Sequence, residues 1–134
     1  MRKQYYFRAS SRGLLAWDVD RLVALTKQFP RVEVPLAVIR ELDAPFPSEH
    51  DDVLTWRSVA EHASLIQAAD LNCPIILSRD GSVMDGMHRV AKALLLRRTT
   101  IEAVQFTDDP DPDYIDVHSK ELPYDKADEG LVNA

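Results

Sequence analysis

The chain has 134 residues, of which 46% are apolar and 28% are charged, and its net charge is −6. This length suits one compact domain, and the apolar content excludes general disorder. The negative charge argues against a nonspecific nucleic-acid binder, which normally spreads a basic surface over phosphates. A single cysteine excludes an internal disulfide. With no apolar run of membrane-spanning length and no signal-like start, the sequence favours a cytoplasmic protein of bacterial type.

The first third of the chain predicts a strand, a helix and a second strand. Residues 3–10 favour a short strand, and residues 17–29 place apolar side chains at near-helical spacing, with Asp18 as the helix cap. Residues 32–42 are rich in β-branched side chains and predict a strand. The acidic, proline-containing segment 43–52 predicts a loop.

A second helix is predicted over residues 55–70. Its apolar positions form one stripe, which we expect to be buried: Trp56, Val59, Ala60, Ala63, Ile66 and Ala69. His62 falls one position off this stripe and is expected at the surface. Trp17 and Trp56 are expected in the core, with stacking on a nucleobase as the alternative role.

The next segment predicts a hairpin followed by a helix and a last strand. Residues 74–78 and 83–85 are the two hairpin strands, joined by the Asp-Gly turn of 79–82. From Met87 onward, apolar residues recur at helical spacing, and residues 99–106 predict the last strand. We therefore expect one domain over residues 1–106. Residues 107–134 form an acidic tail, which either docks on the domain or remains solvated.

The stretch "DGMHR", residues 85–89, stands where the predicted strand gives way to the helix. The first N–H groups of a helix lack internal partners and carry partial positive charge, which suits a phosphate. Gly86 lets the backbone approach an anion, Arg89 offers a forked pair of donors, and His88 can donate to phosphate or move a proton. Lys92, one turn further on, extends this basic group or is simply solvated.

Asp85 introduces a negative charge beside the predicted phosphate site. It holds Mg²⁺, accepts from a ribose hydroxyl, or pairs with Arg89. A purely structural interpretation is equally open, in which Asp85 or Gly86 caps the helix and His88 and Arg89 are solvated residues of its first turn.

The stretch "AEHASLIQAADLNCPIILSRDGSVMDGMHRVAKALLLRRTTIEAVQF", residues 60–106, resembles the nucleotide-binding core of the ParB/sulfiredoxin-like superfamily, and "VPLAVIREL", residues 34–42, resembles its first strand. The resemblance implies an α+β fold, in which helices pack on a small mixed sheet and a helix N-terminus binds phosphate. It further implies that Gly86, His88 and Arg89 bind ATP or CTP. Met87, which lies between them, and Lys92, one turn further on, are the additional candidate contacts.

The sequence departs from the family pattern at two points, and each argues against one activity of the family. Met87 stands where sulfiredoxins have their reactive cysteine, so sulfinic-acid reduction is disfavoured, and Cys73 is expected to be a small core residue. The helix-turn-helix of full-length ParB proteins does not follow residue 106, so stable DNA binding is disfavoured. The closest variant is that of free-serine kinases, which use an acid from the N-terminal part as base. Glu33 and Glu41 are the candidates for that base, or are simply solvated strand-end glutamates. With Glu41, Asp85 and His88 are the candidate catalytic residues.

The sequence therefore predicts nucleotide binding, with Mg²⁺ held by Asp85, and leaves turnover open. If the protein is an enzyme, it is a small ATP-dependent phosphotransferase or nucleotide hydrolase with a small-molecule or protein acceptor. The first alternative is a nucleotide-sensing or protein-interaction module without turnover, for which a homodimer is one arrangement. The second alternative is a partition-related nucleic-acid-binding accessory protein. No membrane partner is expected.

Overall fold

A computed structural model describes residues 3–45 and 54–124. It has a mixed α+β architecture with two small sheets, which confirms the α+β class. The helices and strands, in chain order, are β1 (Tyr5–Ser10), β2 (Gly13–Asp18), α1 (Val19–Leu25), β3 (Val32–Pro35), α2 (Trp56–Ala68), β4 (Ile75–Leu77), β5 (Val83–Asp85), α3 (Met87–Leu95), β6 (Thr100–Gln105) and β7 (Tyr114–Ile115). None of the helices in these ranges has the length and apolar character that a membrane span requires.

The chain forms two compact units, one comprising residues 1–28 and 108–134 and the other residues 29–107. In the first unit, β1, β2 and β7 form an antiparallel sheet in the order β1-β2-β7. Helix α1 begins as predicted, because the Asp18 carboxylate accepts a hydrogen bond of 2.9 Å from the Asp20 N–H.

Acidic residues that follow residue 107 are bound to the N-terminal strands and helix. Arg8 pairs with Asp109 at 3.2 Å, and Arg21 pairs with Asp113 at the same distance. The indole N–H of Trp17, which is only 2% exposed, donates to the Pro110 carbonyl at 2.7 Å. The division into two units therefore differs from the predicted domain of residues 1–106. Strand β7, which follows residue 107, completes the sheet of β1 and β2, so it belongs to the same unit as they do.

The second unit contains a mixed sheet of four strands in the order β3-β6-β4-β5. Strands β4 and β6 are parallel, and the β3–β6 and β4–β5 pairs are antiparallel. Helix α3 packs on this sheet through Val90 and Ala93, both of which are fully buried. The core around them consists of Leu36, Ile39, Ile75, Leu77, Val83, Ile101 and Ala103.

The predicted strands 3–10, 74–78, 83–85 and 99–106 are confirmed, with small changes at their ends. The predicted strand over 32–42 is wrong beyond Pro35, since the chain then turns into two short 3-10 helices, Leu36–Val38 and Arg40–Asp43. The Leu36 N–H still donates to the Thr99 carbonyl at 2.9 Å, so pairing with β6 ends where the chain enters the first 3-10 helix. Most of the loop predicted over 43–52 lies outside the described residues.

Two further expectations about helices are corrected. Trp17 is in strand β2 rather than in a helix, and α1 ends at Leu25 rather than at residue 29. Helix α2 forms where predicted, but most of its apolar stripe is exposed: Trp56 is 90% exposed and Val59 is also exposed, whereas Ile66 is half-buried. The positions of α2 that are half-buried are Ser58, His62 and Ile66.

Candidate functional site

Gly86 fixes the turn between β5 and α3. Its φ of +118° lies in the left-handed region, and no side chain caps the helix at this position. A Cβ atom on Gly86 would lie 2.5 Å from Ile75 Cγ2 and 2.9 Å from an Arg89 guanidinium nitrogen. Only glycine fits here without strain, and the first N–H groups of α3 have no intrahelical acceptors.

Asp85 and Arg89 form an ion pair across the first turn of α3. The Arg89 Nη2 donates to Asp85 Oδ2 at 2.8 Å, and the two side chains are 16% and 18% exposed. Of the alternatives predicted for Asp85, the pairing with Arg89 is therefore the one seen. This bond uses one of the five guanidinium donors and one carboxylate oxygen, which leaves both groups able to contact a further ligand.

His88 contacts His62 of helix α2. The His62 Nδ1 and His88 Nε2 atoms lie 3.2 Å apart, and the rings stack with centroids 5.5 Å apart and planes inclined by 24°. Burial lowers the pKa of His88, and the neighbouring His62 and Arg89 lower it further, against an opposing contribution from Asp85. The neutral imidazole is thereby favoured, with one ring nitrogen donating and the other accepting.

His62 is a site residue that the sequence did not identify. The expectation that it lies at the surface is corrected by its contact with His88. The signal was the spacing of Ser58, His62 and Ile66 at i, i+4 and i+8, which places them on one helix face. Two of these three residues are polar, so the apolar stripe of Trp56 and Val59 gave the stronger pattern.

Lys92 joins α3 to the end of α2. Its ammonium donates to the Gln67 carbonyl at 2.8 Å and to the Ala69 carbonyl at 2.7 Å. The last carbonyls of a helix lack internal donors and carry partial negative charge, so a cation is favourable there. The sequence predicted either a ligand contact or a solvated lysine, and the observed bonds give Lys92 a third role.

Glu41 is close to the strand that carries Asp85. Its Oε2 accepts a hydrogen bond of 2.7 Å from the Val83 N–H, two residues before Asp85 on β5. Its Oε1 is buried and has no hydrogen-bond partner among residues 3–45 and 54–124. The 3-10 helix that holds Glu41 packs against α3. Of the two predicted candidates for the base, Glu41 is therefore the one that contacts the strand leading into α3.

Glu33 and Met87 have different surroundings. Glu33 is exposed and lines an open cavity of about 520 Å³, together with Arg97 and Arg98 at the far end of α3. Met87 packs its side chain against the core, which leaves its backbone N–H as the part available to a ligand. Cys73, expected in the core, is instead exposed.

A second cavity of about 390 Å³ lies at the start of α2 and is lined by Leu54, Thr55, Trp56 and Val59. The Thr55 hydroxyl is already engaged, because it accepts from the Ser58 N–H at 3.1 Å in a capping box. The surface offered by this cavity is therefore mainly apolar and aromatic.

No protein-family model, no curated protein and no solved structure matches the chain. Within the described ranges, there is also no group of three or more histidine, cysteine, aspartate or glutamate side chains that could hold a metal ion. Function must therefore be inferred from the arrangement of the residues around the start of α3.

Proposed function

We propose that the start of α3 binds the phosphates of a nucleoside triphosphate, ATP or CTP. One observation carries this proposal: Gly86 begins the helix in a left-handed conformation without a side-chain cap, directly before His88 and Arg89. Such a turn presents unpaired backbone N–H groups to an anion, and the helix dipole favours negative charge at the same point.

Arg89 is the principal side chain in this proposal. Its pairing with Asp85 at 2.8 Å holds the guanidinium beside the helix start. Because one nitrogen of the guanidinium serves Asp85, the others can donate to phosphate oxygens. His88, held by His62, donates to a second oxygen, and the Met87 N–H contributes through the backbone.

Mg²⁺ would arrive with the nucleotide and be held in part by Asp85. Magnesium in nucleotide sites is commonly bound by one or two carboxylates together with substrate phosphates. Asp85 needs to supply only its second oxygen, Oδ1, since Oδ2 accepts from Arg89. The cation also offsets the repulsion between the Asp85 carboxylate and the phosphates.

We extend the proposal to phosphoryl transfer with Glu41 as the base. The bond between the γ-phosphorus and the bridging oxygen breaks, a bond forms to the acceptor oxygen, and the proton of the acceptor passes to Glu41 Oε1. The support for this role is that Oε1 has no partner in the described part of the chain and that its 3-10 helix packs against α3. Glu41→Gln keeps the acceptor for the Val83 N–H and removes the base, so nucleotide binding should persist while diphosphate formation stops.

Calorimetric titration with ATP and CTP in the presence of Mg²⁺ tests the binding site. Arg89→Ala should lower affinity at least tenfold, because a charge-assisted hydrogen bond contributes about 1.5–3 kcal/mol. Arg98→Ala, which removes an exposed arginine three residues beyond the end of α3, is the matched control. The double variant Asp85→Asn with Arg89→Ala should bind no more tightly than Arg89→Ala, because it lacks the proposed Mg²⁺ ligand as well as the guanidinium. Equal affinities of wild type and Arg89→Ala for the nucleotides would contradict the proposed phosphate site.

A further inference from the structure

The ring nitrogens His62 Nδ1 and His88 Nε2 point directly at each other. The ring centroids are 5.5 Å apart, which exceeds the N···N distance of 3.2 Å by twice the radius of an imidazole ring. The two nitrogens and the two centroids therefore lie nearly on one line, which is the geometry of a linear N–H···N hydrogen bond. In such a bond one nitrogen carries the proton and the other accepts it.

The second ring nitrogen of His88, Nδ1, is the one left for a ligand. Within residues 3–45 and 54–124, the bond to His62 is the only hydrogen bond that the His88 side chain makes. His88 is the second residue of α3, next to the uncapped helix start at Gly86. Any hydrogen bond from the His88 ring to a phosphate there must come from Nδ1.

The neutral His88 ring has only one proton to place. Burial lowers the pKa of His88, and the neighbouring His62 and Arg89 lower it further against the effect of Asp85, so the neutral ring is favoured. If the proton is on Nε2, Nδ1 presents a lone pair to the phosphate and repels it. If the proton is on Nδ1, Nε2 must accept, and the His62 Nδ1–H must then be the donor.

Resting on the proposed function, we infer that His62 is a positioning residue whose Nδ1–H donates to His88 Nε2 and so holds His88 in the tautomer that donates to phosphate from Nδ1. The tautomer of a histidine is set by the hydrogen bond that its other nitrogen makes. His62 acts from α2 through His88 and does not itself contact the nucleotide. The phosphate site therefore depends on a residue of a second helix.

A pair of variants at position 62 tests this role by calorimetric titration with ATP and Mg²⁺. Asn and Leu have the same branched shape at Cγ, but only Asn keeps an N–H close to the place of the histidine Nδ1. His62→Leu should weaken binding by about 3- to 10-fold, the loss of one neutral hydrogen bond. His62→Asn should bind within twofold of wild type. Because Asn is the poorer helix former, a role limited to holding α2 in place would instead favour Leu.

The proton positions can be measured directly by ¹⁵N NMR of the imidazole rings at pH 8, since protonated and bare ring nitrogens have well-separated shifts. The chain has four histidines, and His62→Asn, His88→Gln and His118→Gln assign their signals. In the complex with ATP and Mg²⁺, His88 should be protonated on Nδ1 and bare on Nε2, and His62 should be protonated on Nδ1. A His88 proton on Nε2, alone or together with one on Nδ1, would overturn the inference.

Failure of this inference differs from failure of the phosphate site. If His62→Leu binds ATP within twofold of wild type while Arg89→Ala binds it at least tenfold more weakly, the role of His62 is overturned and the phosphate site stands. The same holds if His62→Asn binds as weakly as His62→Leu. If the wild type does not bind ATP, both proposals fall. If His62→Leu does not fold, the ¹⁵N spectrum of the wild-type complex decides.

Discussion

At the residue scale, the pairing of His62 with His88 depends on at least one neutral ring. Two protonated imidazoles 3.2 Å apart repel one another and cannot share a hydrogen bond. Burial adds to this effect, and Arg89 is a further cation nearby. The contact between α2 and α3 is therefore sensitive to protonation at this one point.

Protonation of His88 should lower the free energy of unfolding as the pH falls. The pKa of His88 is lowered from its ordinary 6.5 in the folded protein, so below about pH 6.5 the unfolded chain binds more protons than the folded one. The free energy of unfolding should then decrease as pH falls from 6.5 toward the lowered pKa. Urea unfolding at pH 8, 7, 6 and 5 measures this, and His88→Gln should lose less stability over the interval than wild type.

A histidine of the other unit provides the control for that experiment. The His118 ring accepts from the Lys120 N–H within its own 3-10 helix and lies outside the unit that holds His88. His118→Gln should retain the pH dependence of wild type. If the free energy of unfolding depends on pH with the same slope in wild type and in His88→Gln, the pH dependence does not come from His88.

The glycines of the hairpin and of the helix start give a second prediction at this scale. Gly81 and Gly86 both have positive φ, of +88° and +118°, but a Cβ on Gly81 meets nothing within 4 Å, whereas one on Gly86 meets Ile75. Gly81→Ala should cost about 1 kcal/mol through backbone strain alone. Gly86→Ala should cost about 2–4 kcal/mol, because overpacking adds to the strain. Urea unfolding of both variants measures the difference. Equal losses of unfolding free energy would show that the Ile75 side chain moves away from the new Cβ without cost.

At the element scale, α2 is held to the rest of its unit by few groups. None of its residues is fully buried, and Lys92 donates to two carbonyls at its C-terminal end. The link between α2 and α3 therefore depends on polar contacts, at Lys92 and at the histidine pair, to an unusual degree.

Lys92→Met should accordingly destabilise the protein without weakening nucleotide binding. The methionine keeps an apolar side chain of similar length and removes the charge-assisted bonds to Gln67 and Ala69, at a cost of about 1–3 kcal/mol. Chemical unfolding and ATP titration of the same sample measure the two effects. A loss of affinity with unchanged stability would instead place Lys92 among the phosphate ligands, as its spacing from His88 and Arg89 predicted.

The sequence predicted the hairpin and helix of residues 74–98 well, because local signals agree there. An Asp-Gly turn, a glycine at the helix start and a regular apolar stripe all lie within one short stretch. It failed for α2, where periodicity identified a helix but not which face was buried. Tertiary packing selected the face of His62 over that of Trp56, and no local pattern encodes that choice.

Contacts distant in the sequence were also beyond prediction. Glu41 reaches Val83 across 42 positions, and its role as an acceptor depends on β5 lying at the edge of the sheet. Edge strands leave N–H groups unpaired, and the sequence does not show which side chain will satisfy them. The interpretation of Gly86, His88 and Arg89 as a phosphate site came from local order and remains a prediction.

At the scale of the whole molecule, the segment after residue 107 is part of a folded unit. Strand β7 pairs with β2, and Pro110 accepts from the Trp17 indole. Arg8 lies over the rings of Tyr6 and Trp17 while also pairing with Asp109. The C-terminal part thus contributes to the environment of Trp17.

Removing residues 108–134 should expose Trp17 and destabilise the first unit. In a Trp56→Phe background, the emission maximum of the remaining tryptophan should shift to longer wavelength. Lys120→Ala, which changes an exposed residue of the same segment and leaves β7 and Pro110 in place, is the control and should cause no shift. An unchanged spectrum after the larger deletion would show that the segment is dispensable for this unit, in agreement with the predicted domain of residues 1–106.

The exposure of Cys73 has a practical consequence for any study of self-association. Because each chain carries a single thiol, and that thiol is at the surface, air oxidation can link two chains covalently but can never extend the product to a third. A dimer that disappears on addition of a reductant is therefore held by a disulfide between two Cys73 thiols, and one that persists is held by a noncovalent interface.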